Sequence, residues 1–143
     1  MIKILAIGKI KDRFLTSLIE HYTKQMKNEL LIQEITTITD KLSDSINILK
    51  FLNPNDYVIV LTVEGNLLST MNFSKKLDAL QTQGKQIIFI IGGAEGMCKE
   101  VKKRANYLLS LTPMTLPHQL ARLILVEQIY RFKMIIKNHP YHK

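Results

Sequence analysis

Two runs leave this chain little choice of architecture: Tyr57-Val58-Ile59-Val60-Leu61 and Gln86-Ile87-Ile88-Phe89-Ile90-Ile91. Both are rich in β-branched residues and almost continuously apolar, without the alternation of a strand that keeps one face in water. Strands of that kind belong inside a parallel sheet covered on both sides. The segments around them show a different period. Ile2 to Ile7 is a shorter apolar run ending at Gly8, and Phe14, Leu15, Leu18, Ile19 and Tyr22 then recur at the spacing of a helix predicted from about Asp12 to Lys27.

The alternation continues to the end. Leu30 to Ile35 reads as a second strand, and Ser43 to Phe51 as a helix broken by Asn53-Pro54-Asn55-Asp56. Glu64-Gly65-Asn66 reads as a turn after the third strand, and Ser69 to Gln83 as a helix closed by Gly84. A helix from about Gly96 to Arg104, a fifth strand at Tyr107 to Leu111 and a last helix from Pro117 to about Ile136 complete the series. The fold class is α/β, a mainly parallel sheet flanked by helices. With 143 residues the chain has room for one core, so a single domain over 1–143 is expected.

No apolar run approaches the ~20 residues of a bilayer span, and the N-terminus lacks the pattern of a secretory signal. The expectation is a cytoplasmic protein with no membrane partner. Cys98 is the single cysteine, which excludes an internal disulfide; it reads as a small helical side chain rather than a reactive thiol. Twenty Lys and Arg against twelve Asp and Glu give a net charge of +8. The surplus gathers at Lys9, Lys11 and Arg13 and again at Arg122, Arg131, Lys133, Lys137 and Lys143. A polyanionic partner such as nucleic acid suits this balance, and so does a plain basic surface.

The last helix carries two apolar rows, Leu123, Val126, Tyr130 and Met134, and Ala121, Leu125, Ile129, Phe132 and Ile136. One sheet face seldom needs that much. The helix is therefore either a central core element or one buried by its own sheet and by a second subunit, and the homodimer is the reading taken.

Parallel α/β sheets bind ligands beyond the carboxyl ends of their strands. Three loops are placed there: Thr62 to Gly65, Gly92-Gly93-Ala94-Glu95-Gly96, and Thr112-Pro113-Met114-Thr115-Leu116. The second is neither a dinucleotide fingerprint nor a phosphate loop. The third is apolar for a connection, which suits a flat apolar group such as adenine or a loop buried by its surroundings. No His, Cys, Asp and Glu spacing resembles a metal site. The chain closes on His139-Pro140-Tyr141-His142-Lys143, where an imidazole of ordinary pKa ~6.5 and a phenol near ~10 are placed to handle an acidic proton, or are incidental to a tail.

Four ordered motifs, Ile91 to Gly96, Leu109 to Arg122, Glu127-Gln128-Ile129-Tyr130-Arg131 and His139-Pro140-Tyr141-His142, together resemble the bacterial large-subunit ribosomal RNA methyltransferase H family of the SPOUT superfamily. The resemblance covers the whole chain. It implies a homodimer with a C-terminal trefoil knot that forms an S-adenosyl-L-methionine pocket. It implies methylation of N3 of a pseudouridine in 23S ribosomal RNA on assembled ribosomes, without a metal. Family matches place cofactor contacts at Leu61, Gly92, Gly93, Leu111, Thr112, Pro113, Met114, Thr115 and Leu116. They assign Tyr141 and His142 to positioning the base and its proton. Arg122, Arg131 and Lys143 are our own candidates for phosphate contacts or for balancing charge on the ionised ring, with Arg122 counted in the catalytic group. Ala94 stands where the family usually has proline, which relaxes the turn without deleting side-chain chemistry. The alternative is a basic RNA-binding or ribosome-binding α/β module without catalysis. A nucleotide-hydrolysing enzyme is set aside for want of a phosphate loop.

Overall fold

The computed structural model describes residues 1–36, 42–93 and 96–143. Strands β1 (Ile2–Ile7), β2 (Leu30–Ile35), β3 (Tyr57–Leu67), β4 (Ile87–Ile91) and β5 (Tyr107–Ser110) form one sheet in the order β2-β1-β4-β3-β5. Every neighbouring pair is parallel. Helices α1 (Arg13–Thr23), α2 (Thr70–Thr82) and α4 (His118–Ile136) cover one face, while α3 (Lys99–Arg104) and a 3-10 helix at Leu42–Phe51 cover the other.

β4 shows why the apolar runs are continuous. Its side chains alternate between two cores: Ile87, Phe89 and Ile91 pack with Ile19, Phe73, Leu77, Leu125 and Ile129, while Ile88 and Ile90 pack with Ile48, Met97, Cys98 and Val101. A strand with an apolar layer on each face has no position left for a polar residue. Burying each of these larger side chains contributes about 1.5–3 kcal/mol.

The helix ends obey local chemistry. The Asp12 carboxylate accepts the amide hydrogens of Phe14 at 2.8 Å and Leu15 at 3.2 Å, capping α1, and the Ser69 hydroxyl accepts that of Asn72 at 3.1 Å, capping α2. Gly84, at φ +75°, takes the left-handed conformation after α2.

Four local expectations need correction. The segment expected as a helix over Ser43 to Phe51 is a 3-10 helix, closed by Leu52 N–H donating to Leu49 C=O at 3.1 Å. Ser and Asn within it favour local alternatives to the α-helix. The helix expected from Gly96 begins only at Lys99, because Gly96 holds a positive φ of 85°. Pro117 precedes the first helical residue of α4 instead of occupying it. The turn expected at Glu64-Gly65-Asn66 does not exist; β3 runs on to Leu67 with a bulge. Leu61 and Asn66 both pair with Leu109, so Thr62 to Gly65 loop out between them. Gly65 permits this. A Cβ there would lie 2.7 Å from the Leu109 carbonyl carbon and 2.8 Å from that of Leu108.

Candidate active site

The bulge of β3, the segments after β4 and β5 and the start of α4 surround one cleft of about 490 Å³. Leu61 to Glu64 form one wall, and Ile91, Gly92, Gly93, Gly96 and Met97 another. Leu109 to Thr112, Met114, Leu116 and the α4 residues His118 and Ala121 close it. Of the nine residues expected to hold a cofactor, seven line the cleft; Pro113 and Thr115 lie in the same loop with their side chains exposed. Ala94 and Glu95 lie outside the described residues.

Backbone crowding shapes these walls. A Cβ on Gly92 would come within 2.6 Å of the Gly96 carbonyl oxygen, and one on Gly93 within 3.3 Å of the Ile7 side chain. The Ser110 hydroxyl donates to the Thr112 carbonyl at 2.8 Å, and Met114 N–H donates to the Thr112 hydroxyl at 3.2 Å. The loop is thereby curled, and Met114 is left 75% exposed.

One polar pair at the cleft and the state of one hydroxyl were not legible in the sequence. Lys102 meets Glu64 at 2.6 Å on the rim, and that hydrogen bond holds the Glu64 carboxyl below its ordinary range. Thr62 lines the cleft, while its hydroxyl is buried behind that wall with no protein partner among the described residues. Glu64 and Lys102 are 38 residues apart, so no periodic signal links them.

The tail lies elsewhere. Tyr141 donates its hydroxyl hydrogen to Glu127 Oε1 at 3.0 Å, with the Tyr22 hydroxyl 3.4 Å away, and its ring meets the Tyr130 ring at 4.8 Å. Arg131 donates to the same Glu127 oxygen from Nε at 3.0 Å and Nη2 at 2.7 Å. Its Nη1 stands 3.1 Å from His142 Nδ1. A guanidinium only donates, so Nδ1 is the acceptor and a neutral His142 carries its proton on Nε2. Burial, the Tyr22 hydroxyl and the Glu127 carboxylate, in that order, push the Tyr141 phenol well above its ordinary pKa. At neutral pH Tyr141 is a hydrogen-bond donor rather than a base.

Neither Tyr141 nor His142 lines the cleft. They sit against Glu127 and Arg131, and Arg131 lies thirteen residues along α4 from His118, or about 20 Å at the rise of an α-helix. Arg122 joins neither group: it is 3% exposed, its guanidinium is paired with Glu34 and it donates to the Gly8 carbonyl at 3.0 Å. Turned inward in this way it does not reach a phosphate. The three residues expected to act on the base are thus not assembled within one protomer. Nor is α4 an outward-facing helix along its length, since Leu125, Val126, Ile129, Tyr130, Phe132 and Met134 are buried and the helix packs on α1 and α2.

Comparison with known proteins points to one family. Residues 1–142 match the family described as predicted SPOUT methyltransferase. The ribosomal RNA large subunit methyltransferase H of Acholeplasma laidlawii is 44% identical, with 99% of each chain covered. That of Parasynechococcus marenigrum is 41% identical over 99% of this chain and 95% of the relative. Among solved structures, a methylase family protein from Haemophilus influenzae superposes with a TM-score of 0.60 at 14% identity, covering 99% of this chain and 70% of that one. Another from Neisseria gonorrhoeae gives 0.61 at 12% identity, covering 91% and 81%. These two show likeness of fold alone.

Proposed function

The chain belongs to the SPOUT methyltransferase family, and from that premise we propose that it uses S-adenosylmethionine to methylate N3 of a pseudouridine in 23S ribosomal RNA of the assembled ribosome. It acts as a cytoplasmic homodimer of single domains spanning 1–143. The observation that carries the reading is the cleft. Its volume suits a nucleoside-sized ligand, and its walls are largely apolar with the Glu64 and Lys102 charges on the rim.

When bound, S-adenosylmethionine supplies a methyl group on a sulfonium. Leu61, Gly92, Gly93 and the loop Leu111 to Leu116 would hold it, apolar side chains against the ring and backbone groups on its polar edges. The trefoil knot implied by the resemblance belongs to this same region. The crowding of β3 on β5 at Gly65 and the meeting of the Gly92 to Met97 and Leu111 to Leu116 segments around one cleft support it.

An acceptor N3–H must lose its proton as the nitrogen attacks, so catalysis consists mainly of holding the base in line and accommodating that proton. With its hydrogen given to Glu127, the Tyr141 oxygen would accept from an N–H of the base, His142 would donate its Nε2–H to a carbonyl, and the N3 proton would leave to solvent. Because neither side chain lines the cleft of its own protomer, the reading sets the tail of one protomer beside the cleft of the other. Phe14, 74% exposed, and Leu18 share one face of α1 beside α4 and support a second copy there. The exposed loop residues Lys9 and Lys11, with Arg13, follow the carboxyl end of β1, the end of the sheet that also carries the cleft, and suit ribosomal phosphates.

The test is calorimetry with S-adenosylmethionine followed by mass mapping of 23S RNA from ribosomes lacking this modification. Saturable binding and a single added methyl on pseudouridine are expected. Binding of ribosomes without cofactor binding would instead leave the non-catalytic module.

A further inference from the structure

We infer that Glu127 is the positioning residue of the transfer reaction, the group through which α4 sets Tyr141 and His142 in one fixed arrangement. The inference rests on the methyltransferase reading above. Glu127 Oε1 accepts three hydrogen bonds, from Arg131 Nε, Arg131 Nη2 and the Tyr141 hydroxyl, and Oε2 accepts from Gln128 Nε2 at 2.7 Å. The phenol is held directly. The imidazole is held through Arg131, whose Nη1 faces His142 Nδ1 and whose guanidinium lies 4.8 Å over the Tyr141 ring.

None of these bonds serves the sheet or the helix packing. Among the described residues, the Glu127 side chain spends every hydrogen bond on its immediate neighbours on α4 and on the tail. Chain ends fray unless something ties them, and ordering each residue costs about 1–2 kcal/mol of backbone entropy. A carboxylate is the suitable tie. It takes the Arg131 fork on one oxygen and still accepts the phenol, and its charge strengthens both bonds. An amide at 127 would turn its NH₂ toward a second donor, either the Arg131 fork or the Gln128 amide.

The test uses the full-length dimer with Glu127→Ala, Glu127→Gln, Tyr141→Phe/His142→Ala and the triple variant. Turnover on ribosomes should fall about 100-fold in Glu127→Ala, the cost of misplacing a reacting group by an ångström, with S-adenosylmethionine affinity and the melting temperature unchanged. Added to the Tyr141→Phe/His142→Ala pair, Glu127→Ala should cost less than about tenfold more, because residues acting through one another are not additive. A full further loss overturns the inference. Backbone nuclear Overhauser effects at Tyr141 and His142 give a readout independent of activity: rigid values in the wild type should drop to those of a free tail in Glu127→Ala and partly in Glu127→Gln. Unchanged tail order, in a wild-type enzyme that does transfer methyl groups, overturns the inference alone. A wild-type chain that transfers none overturns the methyltransferase reading, whatever the tail does.

Discussion

Arg122 and Glu34, 88 residues apart in sequence, close on each other where α4 passes the end of β2, and the same guanidinium takes the Gly8 carbonyl at the end of β1. The pair is unequal: the Arg122 side chain is 4% exposed and that of Glu34 is 37% exposed.

That inequality predicts unequal losses. Glu34→Ala strands a buried guanidinium and should cost about 3 kcal/mol of unfolding free energy in urea, whereas Arg122→Met leaves a carboxylate that water can reach and should cost about 1 kcal/mol. Equal losses would refute this account. If Arg122 instead bound phosphate, Arg122→Met would flatten the salt dependence of ribosome binding, and it should not.

Gly65 and Gly92 should fail differently. Gly65→Ala pushes a methyl into the backbone of Leu108 and Leu109, which belong to the sheet, and should lower the melting temperature by about 7 °C, on the order of 2 kcal/mol. Gly92→Ala presses on the Gly96 carbonyl beside the cleft, so calorimetry should show at least about a tenfold loss of S-adenosylmethionine affinity with a smaller change in melting.

Lys133 is buried on α4, and its desolvation, aided by Lys137 and opposed by Glu29, lowers its pKa. A lysine with a depressed folded pKa binds fewer protons folded than unfolded in the window between that pKa and the unfolded value near ~10.4. Stability from this group is therefore fully present above the unfolded pKa and lost as pH falls through the folded one. Urea melts should show wild-type stability rising with pH in the alkaline range relative to Lys133→Met. At neutral pH the variant should be more stable by about 1 kcal/mol.

Composite sites can be read by complementation. Tyr141→Phe and Gly92→Trp should each abolish methyl transfer as homodimers. A heterodimer of the two contains one intact cleft facing one intact tail and should recover about half of wild-type turnover per dimer. No recovery would place tail and cleft in one protomer.

The sequence by itself determined the parallel α/β character, the number of strands, the approximate bounds of all but β3 and the loops that could carry a ligand. Those properties are local. Continuous β-branched runs demand two covered faces, and helical spacing, caps and glycines act within a few residues. Tertiary structure decided the rest: that β4 lies between β1 and β3, that Thr62 to Gly65 loop out of β3 where it pairs with β5, that Arg122 turns inward to Glu34, and that Tyr141 and His142 sit against Glu127 and Arg131 outside the cleft. Each depends on pairing between segments tens of residues apart, which leaves no period in the chain. The motif at Glu127 to Arg131 lay between the two cases: its i,i+4 charges were visible, while their work on the tail appeared only when residues 139–143 folded back onto them.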